Sequence, residues 1–256
     1  MIVDPEAEFR RLIAIARVLP TRFEGEVGGE QLDLGVERDD FPACTALARA
    51  HWATAQYEPA VALLAEGRTV LGCMHLLRGL LELWADFLYI TAKPDPVERR
   101  IRAVQMEMDT NREIVAWLQK GDATDVVRER SLAAVTDRLG RLEDIKRSEG
   151  WRVGGRRYGQ VTQWLDRSGL EWPAQMYRGF SVAAHNRLSE WADDAVGAGT
   201  WHFRGVRLEQ CVVIYSNIVC LALGLIRPDG DGTFDRAARS LLDDEVLRMA
   251  LQGQLD

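Results

Sequence analysis

The sequence predicts an all-α fold, a helical bundle of about seven to nine helices with one short segment, Thr200 to Arg207, that reads as either extended or a turn. Three observations carry that expectation. Apolar residues recur at the helical spacing of i, i+3, i+4 and i+7 along nearly the whole chain. The breaks between these runs are mostly short, which favours antiparallel neighbours in a bundle. The 256 residues are 47% hydrophobic and 28% charged, enough to bury a core and solvate a surface.

Taken in order, a first helix is expected from about Pro5 to Leu19, followed by a Gly- and acid-rich loop from Thr21 to Asp40. This divides the chain into an N-terminal helix and loop, 1–40, and a bundle domain, 41–256. Further helices are expected over about Phe41 to Glu66, Arg68 to Ala92, Pro96 to Lys120 and Thr124 to Glu149. Asp95-Pro96 is a strong start, a capping carboxylate followed by a proline in the first turn, and Lys120-Gly121 is a matching stop. The stretch GWRVGGRRY, 150–158, reads as a basic, glycine-rich connection. A short helix near Gln160 to Arg167 ends at Gly169, and another runs from about Trp172 to Val196 with Pro173 in its first turn. A very apolar helix, about Leu208 to Ile226, stops before Pro228, and an amphipathic one covers about Asp235 to Leu251.

Composition narrows the function classes. A formal net charge of −7 means that the overall field repels phosphate backbones, so any nucleic-acid contact needs a local basic patch. The four cysteines, Cys44, Cys73, Cys211 and Cys220, form no C-x-x-C pair and no Cys/His cluster with zinc spacing; all lie among apolar neighbours and read as reduced, buried thiols. No metal and no cofactor is expected. The N-terminus lacks a basic region followed by an apolar run, and the apolar helices carry interior Arg, Glu or Asn, so a cytoplasmic chain without a membrane span is expected.

Two helices concentrate the polar chemistry. In GCMHLLRGLLELWADFLYI the circumference is apolar apart from His75, Arg78, Glu82 and Asp86, at i, i+3, i+7 and i+11. This stripe is either the helix's wet edge, with Arg78 and Glu82 as an i,i+4 pair, or the wall of an internal cleft, or a face toward an oligomer partner. In a dry cleft, loss of Glu82 would cost roughly 3–5 kcal/mol. Glu82 and Asp86 are also paired carboxylates, but the chain holds no E-x-x-H, so a carboxylate-bridged metal site is not expected. In WPAQMYRGFSVAAHNRLSEW, Tyr177, Ser181 and His185 recur at i, i+4 and i+8, and Arg178 lies two turns before His185 on nearly the same side. This histidine is either packed in the core or the proton carrier of a site, and Arg178 either pairs with a structural carboxylate or binds a substrate anion. Gly179, Ala183 and Ala184 allow another helix to come close.

The spacing Arg178-x6-His185 resembles the R-x(4–6)-H signature of the HEPN superfamily, and the pairing of L-L-R-G-L-L-E, Leu76 to Glu82, with Y-R-x-F-S-x-x-x-H, Tyr177 to His185, is similar to an uncharacterised bacterial all-helical family, a distant HEPN relative. The likeness covers roughly residues 40–225 in architecture and rests on few residues in motif. It implies a helical homodimer that binds or cuts RNA or nucleotides without metal, of a toxin or defence kind. His185 would be general acid or base, Arg178 would stabilise charge on phosphate, and Ser181 or Tyr177 would orient them. Many active HEPN ribonucleases place a polar residue directly after the arginine; Gly179 departs from this and favours binding over cleavage. Arg78 and Glu82 would help hold substrate. So would the basic connection, where Lys146, Arg147, Trp151, Arg152, Arg156, Arg157 and Tyr158 mix cations with rings that can stack on bases. A second reading is a non-catalytic helical module binding a protein or a small ligand, and a third is a small-molecule enzyme with Glu82 and His185 as acid/base partners.

Overall fold

The computed structural model describes residues 5–27, 40–67, 70–120, 126–151, 161–184 and 201–227. Among them are eight α-helices: α1 (Pro5–Val27), α2 (Phe41–Glu66), α3 (Val70–Thr91), α4 (Pro96–Gln119), α5 (Val126–Ser148), α6 (Val161–Leu165), α7 (Trp172–Ala184) and α8 (Trp201–Ile226). A 3₁₀ turn, Asp166–Ser168, follows α6, and no strand occurs among the described residues. The all-α bundle read from the sequence is therefore the fold.

The core is built around α8, which packs on α2, α3 and α1. Leu208, Cys211, Val212, Ile214, Tyr215, Ile218, Val219, Ala222 and Leu223 bury nearly its whole circumference. A helix apolar all round is what a central position requires. Contrary to the expectation from sequence, Arg204–Ile226 is by length and composition apolar enough to cross a membrane, but two thirds of its apolar 18-residue window is buried within the bundle. α3 is the second central element, with Leu77, Leu80, Leu81, Trp84, Phe87 and Ile90 buried. It crosses α2 closely at Gly79, where the Gln56 side chain occupies the space a Cβ would need. That contact explains a glycine inside a helix, where it costs about 1 kcal/mol relative to alanine.

Two expectations are corrected. α1 does not end at Leu19 but runs through Pro20 to Val27, and its buried row continues as Phe9, Leu12, Ala16, Leu19, Phe23 and Val27. Proline has no N–H for the carbonyl four residues back. Here that carbonyl belongs to Ala16, and it accepts a 3.0 Å hydrogen bond from the Tyr57 hydroxyl of α2 instead. Tyr57 is held in turn by stacking on Tyr215 at 4.1 Å. This row places α1 in the same core as α2, α3 and α8. Within the segment expected at Thr200 to Arg207, the described residues from Trp201 onward are neither extended nor a turn: α8 begins at Trp201. The expected helix at Asp235 to Leu251 lies outside the described residues.

α4 and α5 form a hairpin with a separate small core of Phe41, Ala103, Val104, Met108 and Leu142. α5 packs along α4, and Leu142 is the one residue it buries fully. As expected, α4 starts on Asp95, whose carboxylate accepts from Val97 N at 3.3 Å. α6 and α7 lie across α3, with Trp164 edge-on to Tyr89 at 5.1 Å and Trp172 tilted against buried Trp84.

Candidate functional site

The polar stripe of α3 divides as it runs down the helix. His75 is exposed, Arg78 and Glu82 are half-buried, and Asp86 is buried. Arg78 Nε donates to Glu82 Oε1 at 3.1 Å, the expected i,i+4 pair. α7 crosses α3 here, and the Tyr177 hydroxyl donates to the same Glu82 oxygen at 3.0 Å while the Arg78 guanidinium lies over the Tyr177 ring, 5.6 Å from its centre. Three residues singled out in the sequence on two separate helices therefore meet at one point. Burial, and then the Glu82 carboxylate it is bonded to, raises the Tyr177 pKa above its ordinary value. The phenol is a hydrogen-bond donor at neutral pH and not a base.

This junction is not dry. The Arg78 and Glu82 side chains are 29% and 37% exposed, which places the pair among surface ion pairs. Glu82→Ala is accordingly expected to cost about 1 kcal/mol, from the weak pair and the lost tyrosine acceptor together. Chemical denaturation checks this; a loss above about 3 kcal/mol would mean that the junction excludes water after all.

The other α7 groups take separate positions. Arg178 points to solvent, with a long 3.9 Å contact to the exposed Asp166. Ser181 donates to the Tyr177 carbonyl of its own helix at 2.9 Å, so its hydroxyl proton is already engaged. Gly179 is half-buried, and α7 packs against α3 and α6. His185, Arg152, Arg156 and Arg157 lie outside the described residues.

Glu82 and Asp86 do not act as a pair of carboxylates. Glu82 turns to α7, whereas Asp86 turns to α2 and pairs with Arg49. Arg49 also donates to Glu107 Oε1 and Thr110 Oγ1 of α4, each at 3.3 Å, and Arg138 of α5 reaches Glu107 Oε2 at 3.4 Å. Four helices are thus tied by one charged network. The sequence carried a signal for it, a single arginine in the small-residue run TALARAHWA, and that signal was missed.

The beginning of the basic connection is described, and it does form part of a concave site. A groove of about 460 Å³ between α4 and α5 is lined by Arg112, Glu143, Lys146, Arg147 and Trp151 over Met108. That size is within the range of small-molecule sites. α5 ends in a left-handed Gly150, with Gly150 N bonded to Arg147 O and Trp151 N to Lys146 O. These two bonds satisfy the last carbonyls of the helix and fix Trp151 beside the groove. Arg100 lies over the Trp151 ring at 5.5 Å. Arg112 pairs with Glu143 at 3.1 Å and Arg147 with Asp144 at 2.8 Å, while Lys146 pairs with no described residue. Arg112 was not foreseen, because it comes from the facing helix.

The remaining candidates are chemically quiet. Burial pushes the thiols of Cys73 and Cys220 up to about 12 and raises that of Cys211 as well, so all three stay protonated and unreactive. Cys44 is partly buried. Among the described residues no three His, Cys, Asp or Glu side chains are grouped as metal ligands. Against this geometry, no family model, no curated protein and no solved structure gives a significant match to the chain.

Proposed function

We propose that this chain is an RNA- or nucleotide-binding helical protein of HEPN-like character, with phosphate held in the α4–α5 groove. The observation that carries the reading is the meeting of Arg112, Lys146 and Arg147 with the Trp151 ring in one open groove of an otherwise acidic protein. Cations beside an aromatic ring suit a ligand that is both phosphorylated and planar. Ion pairing does not oppose this for Lys146, which is paired with no described residue, and a phosphate can displace carboxylates from exposed guanidinium groups.

A second reading adds catalysis. It is favoured by the exposure of Arg178 one residue from the Tyr177–Glu82 junction, where a fixed cation can reach a substrate phosphate. In that reading Arg178 stabilises charge and His185 moves the proton, without a metal. Gly179, and a serine hydroxyl already bonded to its own helix, favour binding without cleavage.

One experiment separates the two. Labelled single-stranded and structured RNA is incubated with the protein in chelator, and both anisotropy and product length are read. Binding is expected to weaken as salt rises and to fall about tenfold or more in Lys146→Ala/Arg112→Ala, on the scale of one or two lost phosphate contacts. Cleavage lost in folded His185→Ala and Arg178→Ala would establish the ribonuclease. Binding without cleavage would leave the binding module. No binding at low salt, to RNA or to a mononucleotide, rejects both.

A further inference from the structure

Resting on the phosphate reading of the α4–α5 groove, we propose that Glu143 is an autoinhibitory gate on it: the carboxylate occupies Arg112, turns bare anions away and yields to a phosphate carried on a planar ring. Among the described residues that line the groove, Glu143 is the one carboxylate beside three cations, Arg112, Lys146 and Arg147. In sequence it stands four residues before Arg147, the spacing of a local helix pair. The fold uses it otherwise. Arg147 pairs with Asp144 at 2.8 Å, and Glu143 reaches from α5 to the facing helix, where Arg112 Nη2 lies 3.1 Å from its Oε1. The pair therefore ties one wall of the groove to the other.

The two carboxylates that share Arg112 differ in freedom. Asp109, on the same helix as Arg112, is 4% exposed; it meets Arg112 Nη1 at 3.4 Å and accepts from Gln105 Nε2 at 3.1 Å. Glu143 is 43% exposed. Of the two, Glu143 is the one that can swing into water. When it does, Asp109 still orients the guanidinium, and Nη2 is left to a ligand. The Arg112 and Glu143 side chains make no other ion pair or hydrogen bond with a described residue, so the gate is held by this one contact.

An ion pair this exposed is weak, so a phosphate can break it. It still favours the closed state, and a ligand that needs the open one binds with an affinity reduced by the open fraction. That factor is the same for every anion that uses Arg112. What differs is what each ligand gains in return. Inorganic phosphate gains Arg112 and Lys146 alone. A phosphate joined to a planar ring also gains stacking on Trp151, which Arg100 backs at 5.5 Å and the turn at Gly150 fixes beside the groove. A uniform penalty therefore empties the groove of bare anions at concentrations where a nucleotide still fills it. Selection comes from a threshold built into the chain, with no contact made to the base edge.

The test is calorimetric titration of the full chain with a nucleoside monophosphate and with inorganic phosphate, at constant ionic strength. Glu143→Gln is expected to tighten both about fivefold, the scale of one surface pair, with melting unchanged. Asp137→Asn makes the same charge change on α5 at an exposed site outside the groove, and should alter neither by as much as twofold. In an Arg112→Ala background, adding Glu143→Gln should bring no gain, because the gate acts through that guanidinium. A wild type that binds and is not tightened by Glu143→Gln overturns the gate and leaves the phosphate reading standing. An equal gain from Asp137→Asn assigns the effect to net charge and overturns it, as does a gain that survives Arg112→Ala. No binding of either ligand, by the wild type or by Glu143→Gln, removes the phosphate reading and the gate together.

Discussion

Arg49→Met is expected to destabilise the folded chain by about 3–5 kcal/mol, the range for breaking a buried ion pair from one side. Asp86 is 1% exposed and pairs with Arg49, so methionine takes the guanidinium away from a carboxylate in a dry site. Glu107 suffers less, because it keeps Arg138. Asp86→Leu should therefore cost less than Arg49→Met: it leaves the cation behind, and Arg49 still has Glu107 and Thr110. The double replacement Arg49→Met/Asp86→Leu should recover much of the loss, since an apolar pair of similar volume needs no desolvated charge. Urea unfolding of the four chains gives the coupling directly. A loss below about 1 kcal/mol for Arg49→Met would place the pair with wet surface bridges and remove the network as a clamp on α2 to α5.

That network also shows where sequence reading stops. Helix boundaries set by local chemistry were legible: Asp95-Pro96 opens α4, and a left-handed Gly67 closes α2. Boundaries set from a distance were not. Pro20 ends a helix in isolation, yet α1 continues, with Tyr57 of another element meeting the carbonyl that proline leaves open and Phe23 and Val27 buried beyond it. The same distinction applies to the sites. Arg78 and Glu82 were readable as an i,i+4 pair, and Lys146, Arg147 and Trp151 as a basic, aromatic cluster, because each is local in the chain. Asp86 sits on the same stripe as Glu82, yet it belongs to a different set of partners, since the helix passes from half-exposed to buried within one turn. Periodicity reports which side of a helix a residue occupies and says nothing of which neighbour covers that side.

The polar run Trp201 to Arg207 looked like a break for a related reason, and it yields the second large effect: Arg204→Ala should cost on the order of 3 kcal/mol, summed from lost charge-assisted bonds and a cation at a helix end. Arg204 is buried, which for a lone cation in a helix would be prohibitive. It is accommodated because its guanidinium lies at the C-terminus of α2. There Nε donates to Leu64 O at 2.7 Å, and Ala65 O accepts a second bond. Those carbonyls have no partner within their own helix, and the negative end of the helix dipole favours a cation beside them. The guanidinium also lies 4.7 Å from the centre of the Phe9 ring, so one side chain joins the ends of α1, α2 and α8. Arg204→Lys should rescue only part of the loss, since an ammonium keeps the charge but not the planar fork that spans two carbonyls. Gly67 provides a check through the other partner. It has φ +69°, and a Cβ there would stand 3.1 Å from the Arg204 guanidinium. Gly67→Ala combines roughly 1–2 kcal/mol of backbone strain with that contact. In Arg204→Ala the contact is gone, so the same glycine change should cost less. Strictly additive losses in the double variant would show that Arg204 does not seat against this turn, and an Arg204→Ala chain as stable as the wild type would show that the buried guanidinium contributes nothing to holding the three ends together.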